Sequence, residues 1–239
     1  MKLKELLAYH LEPFKDKIGS AISRRRNRKN FFPKELEFNW NSINYNRIAL
    51  INLLISTKDN AKYLEIGCAT NSLFDSVYAS KKIGVDPNNG GNVRLTSDRY
   101  FEANKDSFDV VFIDGLHTYE QARKDCINSI NCATPGAWIA FHDMLPLNWI
   151  EANHKPIQGG SWTGDVWKLA FELANTPGID FRIISIDHGV GVFKLLDSKV
   201  NISDLSSTLN QVGFEYLFNN LNQLPIYDWN NSYKWVLGV

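Results

Sequence analysis

Between Tyr63 and Lys194 the apolar residues fall into short dense runs, and the spacing inside successive segments switches between strand-like and helix-like. Tyr63-Leu64-Glu65-Ile66, Ile83-Gly84-Val85 and Trp138-Ile139-Ala140-Phe141 read as short strands, and Phe108 to Ile113 is a continuous apolar run of the kind expected in a central parallel strand. Each is followed by polar or glycine-containing turns: Gly67-Cys68-Ala69-Thr70-Asn71, Asp86, Asp114-Gly115 and His142-Asp143. Helices are expected between them. Residues 42 to 57 carry Ile43, Ile48, Leu50, Ile51, Leu53, Leu54 and Ile55, a density suited to a helix packed on a sheet. A helix is also expected from Ser72 to Ser80. Thr118-x-x-Gln121 has the form of a capping box, with Tyr119, Ala122, Cys126 and Ile130 on one face behind it. Thr134-Pro135-Gly136 breaks that helix before the next strand. A further helix is expected from Asp165 to Ala174, and Asp187-His188-Gly189 reads as a hairpin turn between strands Phe181 to Ile186 and Val190 to Lys194.

Alternating strands and helices with a terminal hairpin predict an α/β fold: a Rossmann-like, doubly wound sheet, mostly parallel, with one antiparallel C-terminal hairpin strand and helices on both faces. Three regions are expected: an N-terminal helical and basic extension (1–40), the α/β domain (41–196), and a C-terminal extension packed on it (197–239). The last is rich in Leu, Asn and aromatics, and its pattern does not assign it to helix or sheet.

Composition narrows the function classes only a little. Lys plus Arg and Asp plus Glu balance at 26 each, so no global field favours nucleic acid or a membrane surface. Arg24, Arg25, Arg26, Arg28 and Lys29 form a local basic run, read either as a solvated turn or as a contact for phosphate, anionic lipid or acidic glycan. The 3 cysteines, Cys68, Cys126 and Cys132, lack paired spacing and suggest neither a disulfide framework nor structural zinc. No apolar run is long enough for a membrane span, and Met1 to Leu7 lacks a signal-peptide core, so a cytoplasmic protein is expected.

In such sheets ligands lie beyond the carboxyl ends of the strands. Gly67, with the small Cys68 and Ala69 and then Asn71, lets the backbone approach a ligand closely. Asp86 follows that turn by about 20 residues, where an acid can accept ribose hydroxyls. The turn is G-C-A-T-N-S, not G-x-G-x-x-G, and it lacks a P-loop lysine. Glu65, two residues before the glycine, fits a methyltransferase better than a nicotinamide dehydrogenase. Asp98, in Thr96-Ser97-Asp98, follows an expected third strand. Trp162, Asp165 and Trp167 are candidates either for stacking on an acceptor ring or for packing; His10, His154 and His188 are read as structural.

Leu64-Glu65-Ile66-Gly67-Cys68-Ala69, Ile83-Gly84-Val85-Asp86-Pro87, Phe112 to Glu120 (with Asp114-Gly115-Leu116-His117) and His142-Asp143-Met144-Leu145-Pro146 occur in this order. Together they resemble the class I methyltransferases related to macrocin O-methyltransferase, a group that includes sugar O-methyltransferases. The resemblance runs from about Ala61 to Lys194 and implies a seven-stranded sheet. It implies S-adenosylmethionine as cofactor, held by Glu65, Gly67, Cys68, Ala69, Asn71, Asp86, Asp98 and Asp114, with Asp98 at the adenine amino group. It also implies a divalent metal, Mg²⁺ or Mn²⁺, on Asp114, with His117 as general base. The second acidic pair of that family is His142-Asp143 here. Asp143 matches; His142 stands where an acid belongs. Either Asp114, His142 and Asp143 form a site that imidazole tilts towards Mn²⁺, Fe²⁺ or Zn²⁺, or His142 faces substrate and no metal binds. The implied acceptor is a hydroxyl on a sugar, glycoside or other small molecule, with no nucleic acid. The tail and the basic run are candidate surfaces for a homo-oligomer. Two other readings stand beside this one: a metal-independent N- or O-methyltransferase, and a binding protein that kept only the sheet.

Overall fold

The structure is a computed structural model that describes residues 19–197 and 199–239; the helix expected before residue 19, and His10, lie outside the described residues. Its centre is a 7-stranded sheet in the order β2-β1-β3-β4-β6-β5-β7. The strands are β1 (Lys62–Ile66), β2 (Lys81–Val85), β3 (Phe108–Ile113), β4 (Ala133–Phe141), β5 (Ile179–Ile184), β6 (Val190–Leu195) and β7 (Ile226–Tyr227). Strand β6 runs antiparallel to both β4 and β5, while the other pairings are parallel. The expected fold class is therefore the observed one.

The period of two within the strands divides the core into two layers. Val111 and Ile113 of β3, and Ile139 and Phe141 of β4, enter one apolar cluster; Val110, Phe112, Trp138 and Ala140 enter the other. Residues 19–26 are helical (α1 in its described part). Helix α2 (Arg47–Ser56) buries Leu50, Ile51, Leu54 and Ile55 against the second cluster. Its start is fixed by Asn46, whose side chain accepts from the Ile48 and Ala49 amides. After the short α3 (Ser97–Ala103), helices α4 (Tyr119–Asn131) and α5 (Trp167–Ala174) cover the first face. The tail forms α6 (Ser206–Leu209), α7 (Phe214–Asn220), β7 and α8 (Trp229–Leu237). Phe214 and Leu217 join the first layer and Val236 the second.

Several expected local features are not present. The segment from Ser72 to Ser80 is not a helix; only Phe74–Ser76 makes a 3-10 turn. Lys82 Nζ takes the carbonyls of Phe74 and Val77, at 2.6 and 3.3 Å, that a helix would have used itself. No third strand precedes Asp98, and Val93 makes only an isolated bridge to Val85. The Asn92 side chain does part of a strand's work there, accepting from the Gly84 amide at 2.9 Å and donating to the Lys82 carbonyl at 3.1 Å. Thr118 makes no capping hydrogen bond; Asp165 Oδ1 accepts the Tyr119 amide instead, at 2.9 Å. Strand β4 starts at Ala133, so Thr134-Pro135-Gly136 belongs to it, with a register irregularity where it pairs β3.

Candidate active site

Chain order reverses where β1 lies between β2 and β3, and the crevice outside their carboxyl ends holds a cavity of about 540 Å³. Gly67, Ala69, Asp86, Asp98, Asp114 and His117 line it. The turn after β1 is shaped by contact with β3. Gly67 has φ +87°, and a Cβ there would run into the Asp114 carbonyl. Asp86 accepts four backbone N–H groups: Cys68 and Ala69 on one oxygen, Asn88 and Asn89 on the other, at 2.8–3.1 Å. Burial pushes its pKa up, but these four donors outweigh that and hold it below the usual carboxylate range. Asp86 thus locks the two ligand loops together at the edge of the cavity.

Three of the expected cofactor residues stand outside the lining. Glu65 is buried beneath it, accepting from the Tyr63 hydroxyl at 2.6 Å; burial raises its carboxyl to about 7. Cys68 is buried below the turn, and burial pushes its thiol up. The Asn71 side chain accepts the Gly91 amide at 2.6 Å and so ties the loop after β1 to the loop after β2. Asp98 does reach the cavity, from the first turn of α3. Lys124 at 2.6 Å and Gln121 at 3.1 Å hold its carboxyl below the usual range.

A second group adjoins the cavity. His117 places Nε2 3.3 Å from Asp114 Oδ1 and Nδ1 3.1 Å from Asp143 Oδ2. Nδ1 also lies 3.3 Å from the Trp162 carbonyl, and the ring stacks on Trp162 at 5.2 Å. Carboxylates flank both ring nitrogens, Asp114 at Nε2 and Asp143 at Nδ1, so either nitrogen can carry the hydrogen of the neutral ring. Gly164, at φ +68°, packs against the His117 carbonyl with no room for a Cβ. Burial lowers the imidazole pKa, but Asp114 and Asp143 together carry it above the ordinary value.

His142 sits deeper. Its Nδ1 is 3.5 Å from Asp114 and 3.1 Å from Asp143, while Nε2 faces Asp187 at 3.5 Å. Burial disfavours its charge, yet these carboxylates raise its pKa well above the ordinary value. Asp114 is correspondingly depressed; burial opposes this, and His142 and His117 override it. Among the described residues, Asp114, His117 and Asp143 each offer one ligand atom within 4.8 Å of the others. His117 belongs to this compact three-donor group, and His142 Nδ1 lies about as near the same two carboxylates. Two carboxylates with an imidazole suit a divalent cation of the Mn²⁺ type better than Mg²⁺.

Two residues of this group, Arg47 and Asp187, are not among the candidate site residues read from the sequence, where Asp187 is only part of a hairpin turn. Asp187 accepts the Arg47 guanidinium at 2.7 Å and the Arg47 amide at 3.2 Å, and Arg47 NH1 lies 3.4 Å from His142 Nε2. A signal for Asp187 was present: a hairpin following β5 must turn at the same carboxyl edge as the site.

Residues 59–144 match a family described as "Methyltransferase domain". No curated protein matches the chain in sequence. Solved structures similar to it include an O-methyltransferase from Bacillus cereus in complex with SAH (12% identity, 63% of this chain and 80% of that one, TM-score 0.45). Others are a putative O-methyltransferase from Klebsiella pneumoniae (12%, 74% and 90%, 0.46) and the O-methyltransferase TomG from Streptomyces achromogenes, involved in tomaymycin synthesis (14%, 74% and 88%, 0.45). All three scores are below 0.5, so the functional reading rests on this chain's own residues and on the matched domain. That domain match spans β1 to β4 and takes in the cavity's walls from Ile66 to Gln121, so residues 59–144 are similar to a methyltransferase domain.

Proposed function

We propose that the protein transfers the methyl group of S-adenosylmethionine to a hydroxyl of a small molecule such as a sugar or glycoside. The observation that carries this is the position of His117, which lines the cofactor cavity while standing between Asp114 and Asp143. A hydroxyl is a weak nucleophile until its proton leaves. In this reading the Nε2 lone pair of His117 takes that proton. The resulting imidazolium then lies between two carboxylates that stabilise it, and the oxygen attacks the sulfonium methyl in line. Positioning supplies much of the remaining acceleration. Gly67, Ala69 and Asp86 bound the donor's end of the cavity, and Asp98 with Gln121 offers polar partners at another wall.

Asp114 and Asp143 are the carboxylates that would hold a divalent cation, with an imidazole nitrogen from His142 or His117 completing the set. Such an ion would lower the acceptor hydroxyl's pKa and orient it. One lone pair of His117 cannot both ligate and take a proton, so we assign the proton to His117 and the ligand role to His142. The His117 imidazole beside both the cavity and the carboxylates supports this reading over a non-catalytic binding protein that kept only the sheet.

The test is a methyl-transfer screen over sugars and glycosides with labelled donor and added Mg²⁺ or Mn²⁺, run beside calorimetry with S-adenosylhomocysteine. His117→Ala is expected to lose turnover by at least about 100-fold, the usual worth of a general base, while keeping its affinity for S-adenosylhomocysteine. Near-normal turnover in that variant sinks the base assignment. Loss of Mn²⁺ binding in His117→Ala but not in His142→Ala reverses the two histidine roles.

A further inference from the structure

The basic run from Arg24 to Lys29 takes no part in the methyl-transfer site, and the structure gives it a setting of its own. Arg24, Arg25 and Arg28 are exposed and line a hollow of about 450 Å³ together with Phe31, Trp149 and Ile150. Phe31 stands edge-on to Trp149 at 5.7 Å. Among the described residues none of these three guanidinium groups has an acidic partner, although the molecule elsewhere pairs Arg47, Arg94, Arg99 and Arg123. Cations at the end of a helix are ordinary, because the last carbonyls carry partial negative charge. That accounts for Arg24 and Arg25 in the last turn of α1. It does not account for Arg28, which lies past the helix, nor for the aromatic floor.

We infer that this hollow binds the phosphate or diphosphate of a small organic molecule whose ring or apolar part packs on Phe31 and Trp149. Guanidinium forks match phosphate oxygens in pairs, and three around one concavity suit a multiply charged anion. Nucleic acid is the poorer fit, since it needs a longer basic track and the chain's charges balance at 26 to 26. A membrane surface is the alternative that the vesicle measurement below tests: Phe31 is exposed, while Trp149 is buried in the floor of the hollow.

The hollow is also tied to the catalytic histidine. The Asn30 side chain donates to Asn153 at 2.6 Å, and the indole N–H of Trp162 donates to the Asn153 carbonyl at 2.8 Å. Trp162 is the ring stacked on His117. Segment 149–162 therefore runs from the floor of the hollow to the wall of the catalytic group.

Calorimetry with inorganic pyrophosphate on the full chain tests this. Binding is expected to weaken with added salt and to fall by at least about tenfold in Arg24→Gln/Arg25→Gln/Arg28→Gln, which removes three charge-assisted contacts. Arg26→Gln, outside the hollow, is expected to stay within about twofold of the unaltered protein, as a screened surface charge does. S-adenosylhomocysteine affinity of the same proteins separates this result from any failure of the methyltransferase reading, and it is expected to be unchanged. No pyrophosphate binding, or an equal loss in Arg26→Gln, overturns the inference. So does retention on phosphatidylglycerol vesicles by a protein that ignores pyrophosphate, which would assign the run to a lipid surface.

Discussion

At the scale of single residues, the site depends on groups that work by being constrained. Gly67 holds φ +87° against the Asp114 carbonyl, so a methyl group there meets both a disfavoured backbone conformation and a backbone collision. Gly67→Ala is expected to lower stability by about 2 kcal/mol or more and to weaken S-adenosylhomocysteine binding, read by thermal melting and calorimetry. An unchanged melt would mean that β1 and β3 can part at no cost. Glu65 tests burial in another way. Its carboxyl is raised from 4.5 to about 7, so between those values the folded chain binds the proton more tightly than the unfolded one. Its contribution to stability therefore falls as pH rises through that window and stays low above it. Glu65→Gln should match the native protein near pH 4.5 and melt higher near pH 8, the gap corresponding to a few kcal/mol at most, on the order of the shift itself. A gap that narrows with rising pH would contradict the assigned direction. Residue types at strand ends were legible in sequence because glycine and acids at those positions have few other uses. Arg47 was not legible: it starts an apolar helix, and only the fold brings it 140 positions along the chain to Asp187.

Among the elements, the strands could be read and several connections could not. The central strand β3 announced itself because burial on both faces leaves it no polar alternation to mimic a helix, and β1, β2 and β4 showed as short apolar runs that end at turns. The stretch after Asn71 carried enough apolar residues for a helix, but Lys82 takes the Phe74 and Val77 carbonyls from β2 and the chain stops at a single 3-10 turn, Phe74–Ser76. Asn92 similarly replaces an expected strand with one side chain. Such substitutions come from polar side chains 5 to 10 positions away, which the spacing of apolar residues does not record. The packing of α4 on α5 supplies a prediction at this scale. Arg123 Nε donates to Glu172 at 2.8 Å, and Glu172 is wholly buried, its other oxygen accepting the Leu205 amide that opens the C-terminal region. Arg123→Ala strands that carboxylate without its cation and is expected to cost about 3 kcal/mol. The loss should be partly relieved in Arg123→Ala/Glu172→Gln. A denaturant melt of both variants decides this, and a double variant worse than the single one would show that Arg123 packs more than it pairs.

For the whole molecule, the informative fact is that two sites share side chains. Asp114 and His117 line the cofactor cavity, and the same two residues belong to the three-donor group with Asp143. A ligand in one place therefore alters the charge and position of groups in the other. Chemistry of this kind is beyond a motif: Asp114-Gly115-Leu116-His117 names the residues, but not that their side chains face a carboxylate from the next strand across the crevice. Coupling also has a direction. A divalent cation at Asp114 and Asp143 reduces the negative charge facing a positively charged sulfonium, whereas S-adenosylhomocysteine carries no such charge. Saturating Mn²⁺ is thus expected to weaken binding of S-adenosylmethionine relative to S-adenosylhomocysteine, by a factor of roughly 5 or more if the coupling has the common magnitude. Because linkage is reciprocal, the sulfonium form must weaken Mn²⁺ by the same factor compared with its product, and titrating each ligand in the presence of the other checks both halves. Equal Mn²⁺ effects on the two cofactors would show that the cavity and the carboxylate group, although they share Asp114 and His117, are not electrostatically coupled. In Asp143→Asn the discrimination should shrink, since the cation loses a ligand while the cavity lining is untouched.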